Sequence, residues 1–300
     1  MKPANKIWLN GRIAPLARAG FLNFHQGLNY GACVYDGIRF YKTTNGAAIF
    51  RLKEHLDRFF YSASVLNMNI EKTKKELEEA IKNVIKINKL ASGYIRPMAF
   101  YSEPKMGINI IGAKLTVVIF AWPWKYDAKE KSVRIKIVKT RRIDPSTADL
   151  KAKISGYYSN GLLGFIEARK SGFDEPLFLD TSGFVAEGAV NNIFIAKNGI
   201  LYTPKIGNIL GGITRNTIIR IARDMGIKVC EKNILPGFLR KADEIFLTGT
   251  GIELERVTKI HKYFSQRQIP QSIFTDLQNQ YKKITGGNIK KYKNWLTPIQ

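Results

Sequence analysis

Lys153, Glu187 and two glycine-marked turns are the residues of this chain whose types and order could do chemistry. Glu187 lies in Gly183-Phe-Val-Ala-Glu-Gly-Ala-Val-Asn-Asn-Ile-Phe-Ile195, a run that is small and apolar on both sides and reads as buried extended chain. A lone ionised carboxylate there is costly unless a cation faces it. One such cation is a protonated pyridine nitrogen, and a cationic ring accepts electrons from a substrate carbon. Lys153 is followed by Ser155-Gly-Tyr-Tyr158, and two adjacent tyrosines at a helix start are costly to leave exposed. A buried lysine amine loses its proton more readily and can form a Schiff base with an aldehyde cofactor. The entry Gly211-Gly-Ile-Thr214 into a helix offers backbone N–H groups and a hydroxyl to a phosphate, and Thr250 between Gly249 and Gly251 is a second anion-ready turn. Together these suggest a site for a cationic ring that carries a phosphate. Each residue also has a plainer reading. Glu187 could stand on the outer face of an edge strand, Lys153 in solvent, the glycines at ordinary caps, and Arg58 as a solvated charge on a helix.

The elements that must position these residues are readable from periodicity. Asn10-Gly11 and Asn45-Gly46 mark two hairpins. A helix follows with Leu52, Leu56, Phe59, Ala63 and Leu66 on one stripe, and Thr73 with Glu76 forms a capping box for the next. Strands are expected at 94–101 and 115–122, and a linker at 125–132. The second part has strands at 133–138, 176–180, 184–187, 192–195, 200–203, 227–230 and 244–248. Its helices are expected over about 157–169, from about Thr214 with Met225 turned inward and Gly226 past its end, and over 271–281. Hairpin-linked strands without regular βαβ alternation read as α+β, not as a Rossmann fold. The expected division is a small N-terminal domain, 1–124, and a large C-terminal one, 133–300.

The 300 residues, 45% hydrophobic, suffice for a two-lobed core. Cys33 and Cys230 form no metal or disulfide framework, so both read as buried small hydrophobes of a reducing compartment. The N-terminal residues show no secretory signal and no run is long enough to span a bilayer, so a cytoplasmic protein is expected. His25, His55 and His261 lack metal or triad company and read as structural, with no metal site. The formal charge of +24 could serve nucleic acid, but no reading element accompanies it. A lysine-rich surface with anion-handling sites is the preferred account.

In their order these motifs resemble the pyridoxal-phosphate enzymes of fold type IV, most closely the branched-chain amino-acid aminotransferases. The resemblance is carried by Asn29-Tyr-Gly-Ala-Cys-Val-Tyr-Asp-Gly-Ile-Arg39, Phe50-Arg-Leu-Lys-Glu-His-Leu-Asp-Arg58, Tyr94-Ile-Arg-Pro97, the Lys153 segment, Ala186-Glu-Gly-Ala189 with Asn192, Gly212-Ile-Thr-Arg215 and Gly249-Thr250. It implies a two-domain fold with pyridoxal 5'-phosphate in the interdomain cleft, a homodimer, and reversible amino transfer between leucine, isoleucine or valine and 2-oxoglutarate. It implies that Lys153 bonds the cofactor and shuttles the proton, that Glu187 pairs with the ring nitrogen and Tyr158 with the ring hydroxyl, and that Leu210 packs on the ring. Arg58, Ile213, Thr214 and Thr250 would hold the phosphate. Tyr94 with Thr250-Gly251 would bind the substrate carboxylate, and Tyr35, Gly37 and Trp124 would line an apolar pocket. Arg39 and Arg96 would take the second carboxylate of glutamate, and Tyr30 would come from near the subunit interface. The chain departs from the family pattern at Val190, at Asn191 and at Gly251-Ile252. These departures bear on the amino donor, so a transaminase for D-amino acids or amines is the rival enzyme. A nonenzymatic nucleic-acid-binding relative is the rival outside catalysis.

Overall fold

The computed structural model describes residues 4–16, 26–102, 107–124, 132–266 and 271–299. His25 and the expected linker lie outside these residues, except Ser132, which opens a strand. The chain forms two compact units: 1–126 with 152–156 and 283–300, and 127–151 with 157–282. Set beside the expected boundaries, two short segments from the C-terminal part group with the first unit. The reason is strand pairing: Ile154 bridges Val34, and residues 296–298 pair with the strand that ends at Phe50.

The first unit contains β1 (Lys6–Leu9), β2 (Arg12–Pro15), α1 (Gln26–Asn29), β3 (Cys33–Tyr35), β4 (Ile38–Thr43), β5 (Gly46–Phe50), α2 (Leu52–Val65), α3 (Lys74–Ile87), β6 (Gly93–Tyr101), β7 (Leu115–Pro123) and the late strand β16 (Leu296–Pro298). Its antiparallel sheet runs β16-β5-β4-β6-β7-β1-β2, with β3 also on β6. Both Asn-Gly hairpins form. In α2 the expected stripe is buried at Leu52, Leu56, Phe59 and Ala63, and the capping box of Thr73 and Glu76 is present in α3. Helix α3 packs against β1 and β7.

The second unit contains β8 (Ser132–Ile137), α4 (Tyr158–Lys170), β9 (Glu175–Leu177), β10 (Asn192–Lys197), β11 (Ile200–Pro204), α5 (Ile213–Asp224), β12 (Val229–Lys232), β13 (Glu244–Gly249), β14 (Glu253–Ile260), β15 (Phe264–Ser265) and α6 (Ile273–Thr285). Its sheet runs β12-β11-β10-β13-β14-β8-β9, with β15 on β14. The β12–β11, β14–β8 and β8–β9 pairs are parallel and the others antiparallel. Its core joins Ile135, Leu177, Ile193, Ile195, Ile245, Leu247 and Val257.

Three expectations are corrected. Residues 184–187 form no strand. They make a buried irregular segment held by single backbone bonds, from Phe178 N to Glu187 O, Ala186 N to Phe178 O and Val185 N to Ile234 O. Glycine and the turn after Asp180 break the ladder, and β9 therefore ends at Leu177. Met225 caps α5 and is 40% exposed rather than turned inward, because Gly226 with φ +77° already ends the helix there. Glu187 is buried, so the edge-strand reading fails. Among the described residues no helix is long and apolar enough to cross a membrane, and no His, Cys, Asp and Glu group could hold a metal ion.

Candidate functional site

In the first unit, the segment 152–156 is stitched beside β3. Lys153 N donates to Ser62 Oγ at 2.8 Å, Tyr35 N donates to Lys153 O at 3.3 Å, and Ile154 bridges Val34. Two glycines permit this approach: a Cβ on Gly31, whose φ is +66°, would lie 2.7 Å from Gly156 Cα. The side chain of Lys153 is placed by its backbone, with Nζ 4.8 Å from the Tyr35 ring centroid. The other approach to that ring is taken by Arg96, whose guanidinium carbon is 5.0 Å from the centroid. Arg96 Nη2 donates to Tyr94 Oη at 3.1 Å. Tyr94 also packs on Trp122 and Trp124. Gly37 is required at this place, because a Cβ there would lie 1.9 Å from Tyr94 Oη. Arg39 is 3% exposed and stacks between Tyr41 and Trp124 at 5.1 and 5.2 Å. The structure thus brings Tyr35, Gly37, Arg39, Tyr94, Arg96, Trp124 and Lys153 together. It leaves Tyr30 47% exposed at the end of α1.

Arg58 belongs to a buried cluster that the sequence reading missed. Its Nε and Nη2 donate to the two oxygens of Asp36, both at 2.8 Å, and His55 Nδ1 reaches Asp36 Oδ1 at 2.8 Å. Gly37 N donates to the same Oδ1 at 2.7 Å. Asp36 is fully buried. Burial alone raises its carboxyl, but the charges and hydrogen bonds of Arg58 and His55 outweigh it and hold the group well below the usual carboxylate range. Burial holds His55 below its ordinary value, with Asp36 opposing, so the imidazole is neutral at neutral pH with its proton on Nδ1. His55 is therefore more than core filling. The i, i+3 spacing of His55 and Arg58, facing an acid two residues before Ile38, was the available signal.

In the second unit, Glu187 is 4% exposed and meets a cation from its own chain: Arg142 Nε donates to Oε1 at 2.8 Å. A buried glutamate here therefore does not by itself require a pyridinium. Asn192 Nδ2 donates to Oε2 at 3.1 Å and to Leu210 O at 3.0 Å, and so ties Glu187 to the turn before α5. Leu210 N approaches both carboxylate oxygens, at 3.4 and 3.3 Å. That turn is close-packed: a Cβ on Gly212 would lie 2.1 Å from Asn192 Oδ1. Gly212 caps α5 with no side-chain hydrogen bond at the cap, and the helix opens on Ile213 and Thr214. The Glu187 segment rests on α4, where Gly161 and Gly164 replace side chains that would strike Ala189 O and the Phe178 ring. Tyr158 opens α4, and Thr250 and Gly251 lie in the β13–β14 hairpin, half-buried. Of the departures, Val190 is 60% exposed, and Ile252 packs partly buried on the unit's core. Arg142, Asn160, Tyr41 and Trp122 were not foreseen. One arginine of an Arg-Arg pair in a basic chain carries no signal, whereas Tyr41 and Trp122 each stand two residues from a named residue on a strand.

In the first unit an amine beside an aromatic ring is of the kind that bonds an aldehyde; in the second, a buried carboxylate and a helix N-terminus are of the kinds that face a basic ring nitrogen and a phosphate. The comparisons with known proteins agree. A model of the amino-transferase class IV family matches residues 33–260, and the chain belongs to that family. Its fold is that of the fold-type-IV aminotransferases. It is 36% identical over 300 residues to the branched-chain-amino-acid aminotransferase of Pseudomonas aeruginosa, covering 98% of this chain and 97% of that one. The crystal structure of the Thermoproteus uzoniensis branched-chain aminotransferase with norvaline superposes with a TM-score of 0.93 at 36% identity, covering 99% of this chain and 100% of that one. That of the T.th. branched-chain amino acid aminotransferase complexed with N-(5'-phosphopyridoxyl)-L-glutamate gives 0.94 at 38% identity, covering 99% of each.

Proposed function

We propose that this protein is a pyridoxal-phosphate-dependent branched-chain-amino-acid transaminase that exchanges the amino group of leucine, isoleucine or valine with 2-oxoglutarate. The observation that carries the reading is the pair of built features on the chain: Lys153 fixed by its backbone beside Tyr35, and Glu187 buried with its carboxylate held by Arg142 and Asn192. Relatives over nearly the full length, one crystallised with norvaline and one with a phosphopyridoxyl-glutamate, support the cofactor and substrate class. When bound, pyridoxal phosphate supplies the electron sink for negative charge at the substrate Cα.

The chain's residues have these roles. Lys153 would hold the cofactor through Nζ and would move the proton at the substrate Cα as a general base and acid. Glu187 keeps a proton on the ring nitrogen, and Tyr158 hydrogen-bonds the ring hydroxyl. Ile213 and Thr214 at the α5 N-terminus, with Arg58 and Thr250, hold the phosphate, and Leu210 packs on the ring. Tyr94 and the Thr250-Gly251 turn orient the substrate carboxylate. Tyr35, Gly37 and Trp124 receive an aliphatic side chain, and Arg39 and Arg96 the distal carboxylate of glutamate. Their guanidinium groups lie on aromatic faces, so one lining can accept either partner.

The working assembly is a homodimer, with Tyr30 near the subunit interface, in the cytoplasm. The exposed Leu162, Leu163 and Ile166 of α4 support self-association. The test is the visible spectrum of protein reconstituted with pyridoxal phosphate, before and after L-leucine, with D-leucine in parallel. The expected result is a band that requires Lys153 and collapses on the L-form alone. A band that responds only to D-leucine assigns the rival substrate class, and no band overturns the enzyme.

A further inference from the structure

Arg142 is a charged residue in contact with the acid of the proposed site, and the reaction above does not use it. It is 7% exposed and held from three sides. Its backbone N donates to Leu179 O at 2.9 Å, its Nε donates to Glu187 Oε1 at 2.8 Å, and its Nη1 donates to Asn160 Oδ1 at 3.2 Å. Asn160 in turn donates through Nδ2 to Arg141 O at 2.9 Å, so α4 braces the loop that carries the arginine. On the far side, Asn192 holds the other carboxylate oxygen. Glu187 is thus clamped between an arginine on Oε1 and an asparagine on Oε2, all within one unit.

The physical consequence follows from burial. A carboxylate out of water without a cation takes up a proton, and a protonated acid no longer draws a proton onto a ring nitrogen. A pyridinium could serve as the cation only while the cofactor is bound. Arg142 is always charged, so Glu187 stays ionised with or without the cofactor. The single Nε contact, rather than a two-pronged one, leaves Oε2 to Asn192 and fixes the rotation of the carboxylate.

We infer that Arg142 is a positioning residue that holds Glu187 ionised and in one orientation before the cofactor arrives. This rests on the role proposed for Glu187 above. Arg142 acts through Glu187, so its effect vanishes when Glu187 is neutral. The test is a double-mutant cycle with R142M, E187Q and the double variant, with R142K as the conservative control. Two quantities are read: the dissociation constant for pyridoxal phosphate, and the urea midpoint of the cofactor-free protein. R142M is expected to weaken pyridoxal phosphate binding about tenfold or more, as removal of one partner of a buried pair does. R142K recovers part of that loss. The double variant binds within about twofold of E187Q, because the arginine has no acid left to act on. In the cofactor-free protein, R142M has a lower midpoint than the double variant. If the losses of R142M and E187Q multiply in the double variant, Arg142 works independently of Glu187 and the inference is overturned. If the wild-type protein binds no pyridoxal phosphate, the proposed function fails, while the urea cycle still decides whether Arg142 fixes Glu187.

Discussion

Replacing Asp36 by asparagine isolates the buried cluster that it forms with His55 and Arg58 of α2. The carboxylate accepts Gly37 N, His55 Nδ1 and Arg58 Nη2 on Oδ1, and Arg58 Nε on Oδ2. An asparagine can put its carbonyl oxygen in the place of Oδ1, but its NH2 then faces Arg58 Nε, donor against donor. The reverse orientation strands three donors instead. Either way Arg58, 12% exposed, loses the charge of Asp36. Breaking a buried pair from one side costs about 3–5 kcal/mol, and the surviving neutral contacts place D36N near the lower end, about 3 kcal/mol at pH 7. The sign of the pH dependence follows from a carboxyl held below its ordinary 3.8. Its contribution is complete above that value and is lost as pH falls, because the unfolded chain binds a proton there before the native one does. At pH 3 the Asp36 carboxyl by itself has given up about 1 kcal/mol of that contribution. His55 works in the other direction below pH 6.5: its native value is already depressed, and loss of Asp36 depresses it further. Urea unfolding followed by tryptophan fluorescence at pH 7, 5 and 3 measures this. A D36N protein within about 0.5 kcal/mol of wild type at pH 7 would refute the reasoning, since surface substitutions vary by that much.

Three further outcomes are expected. Burial, with Glu255 and Asp174 nearby, pushes the Glu175 carboxyl up to about 7, and its Oε2 is buried without a partner among the described residues. The native state thus keeps a proton that the unfolded chain loses near pH 4.5, and stability falls as pH rises from there to about 7. Glu175→Gln should raise the unfolding free energy measured in urea above pH 7 by about 1–2 kcal/mol after allowance for solvent screening, and have no effect at pH 4. A Cβ on Gly164 would lie 2.1 Å from the Phe178 ring. Gly164→Ala should therefore destabilise by about 1–3 kcal/mol in spite of alanine's better helix propensity, and Phe178→Leu in the same chain should restore part of it. Gly37→Ala must displace the Tyr94 hydroxyl, because its Cβ would lie 1.9 Å away. Leucine kcat/KM should drop at least about tenfold through KM, with the visible band of the bound cofactor unchanged; a variant with wild-type KM would remove Tyr94 from the carboxylate site.

Helices and hairpins were legible where local physics decides them. The capping box at Thr73, the stripe of α2 and the Asn-Gly turns need only neighbours in sequence. The segment 184–187 was misread because its alternation of size resembles a strand, while its bonding partners, Phe178 and Ile234, are set by tertiary structure. Lys153 and Glu187 stood out by the company they keep, and each is held by its own unit. What they touch was not legible. Arg142 and Asp36 lie 45 and 22 residues from Glu187 and Arg58, and no period links such positions. The apolar run around Glu187 advertised a missing cation, but one arginine among 48 basic residues could not be singled out.

The threading of the chain has a consequence for biosynthesis. The second unit has all of its segments once Lys282 is made, whereas the first begins earlier and finishes later. Strand β5 (Gly46–Phe50) is synthesised roughly 250 residues before β16 covers its edge. At the usual pace of translation, about 5–20 residues per second, that edge waits roughly 12 to 50 seconds with its backbone groups unpaired. The nascent first unit is therefore the stretch of this chain on which a ribosome-associated chaperone would act. Slowing the ribosome late in the message should lower the soluble yield more than slowing it early.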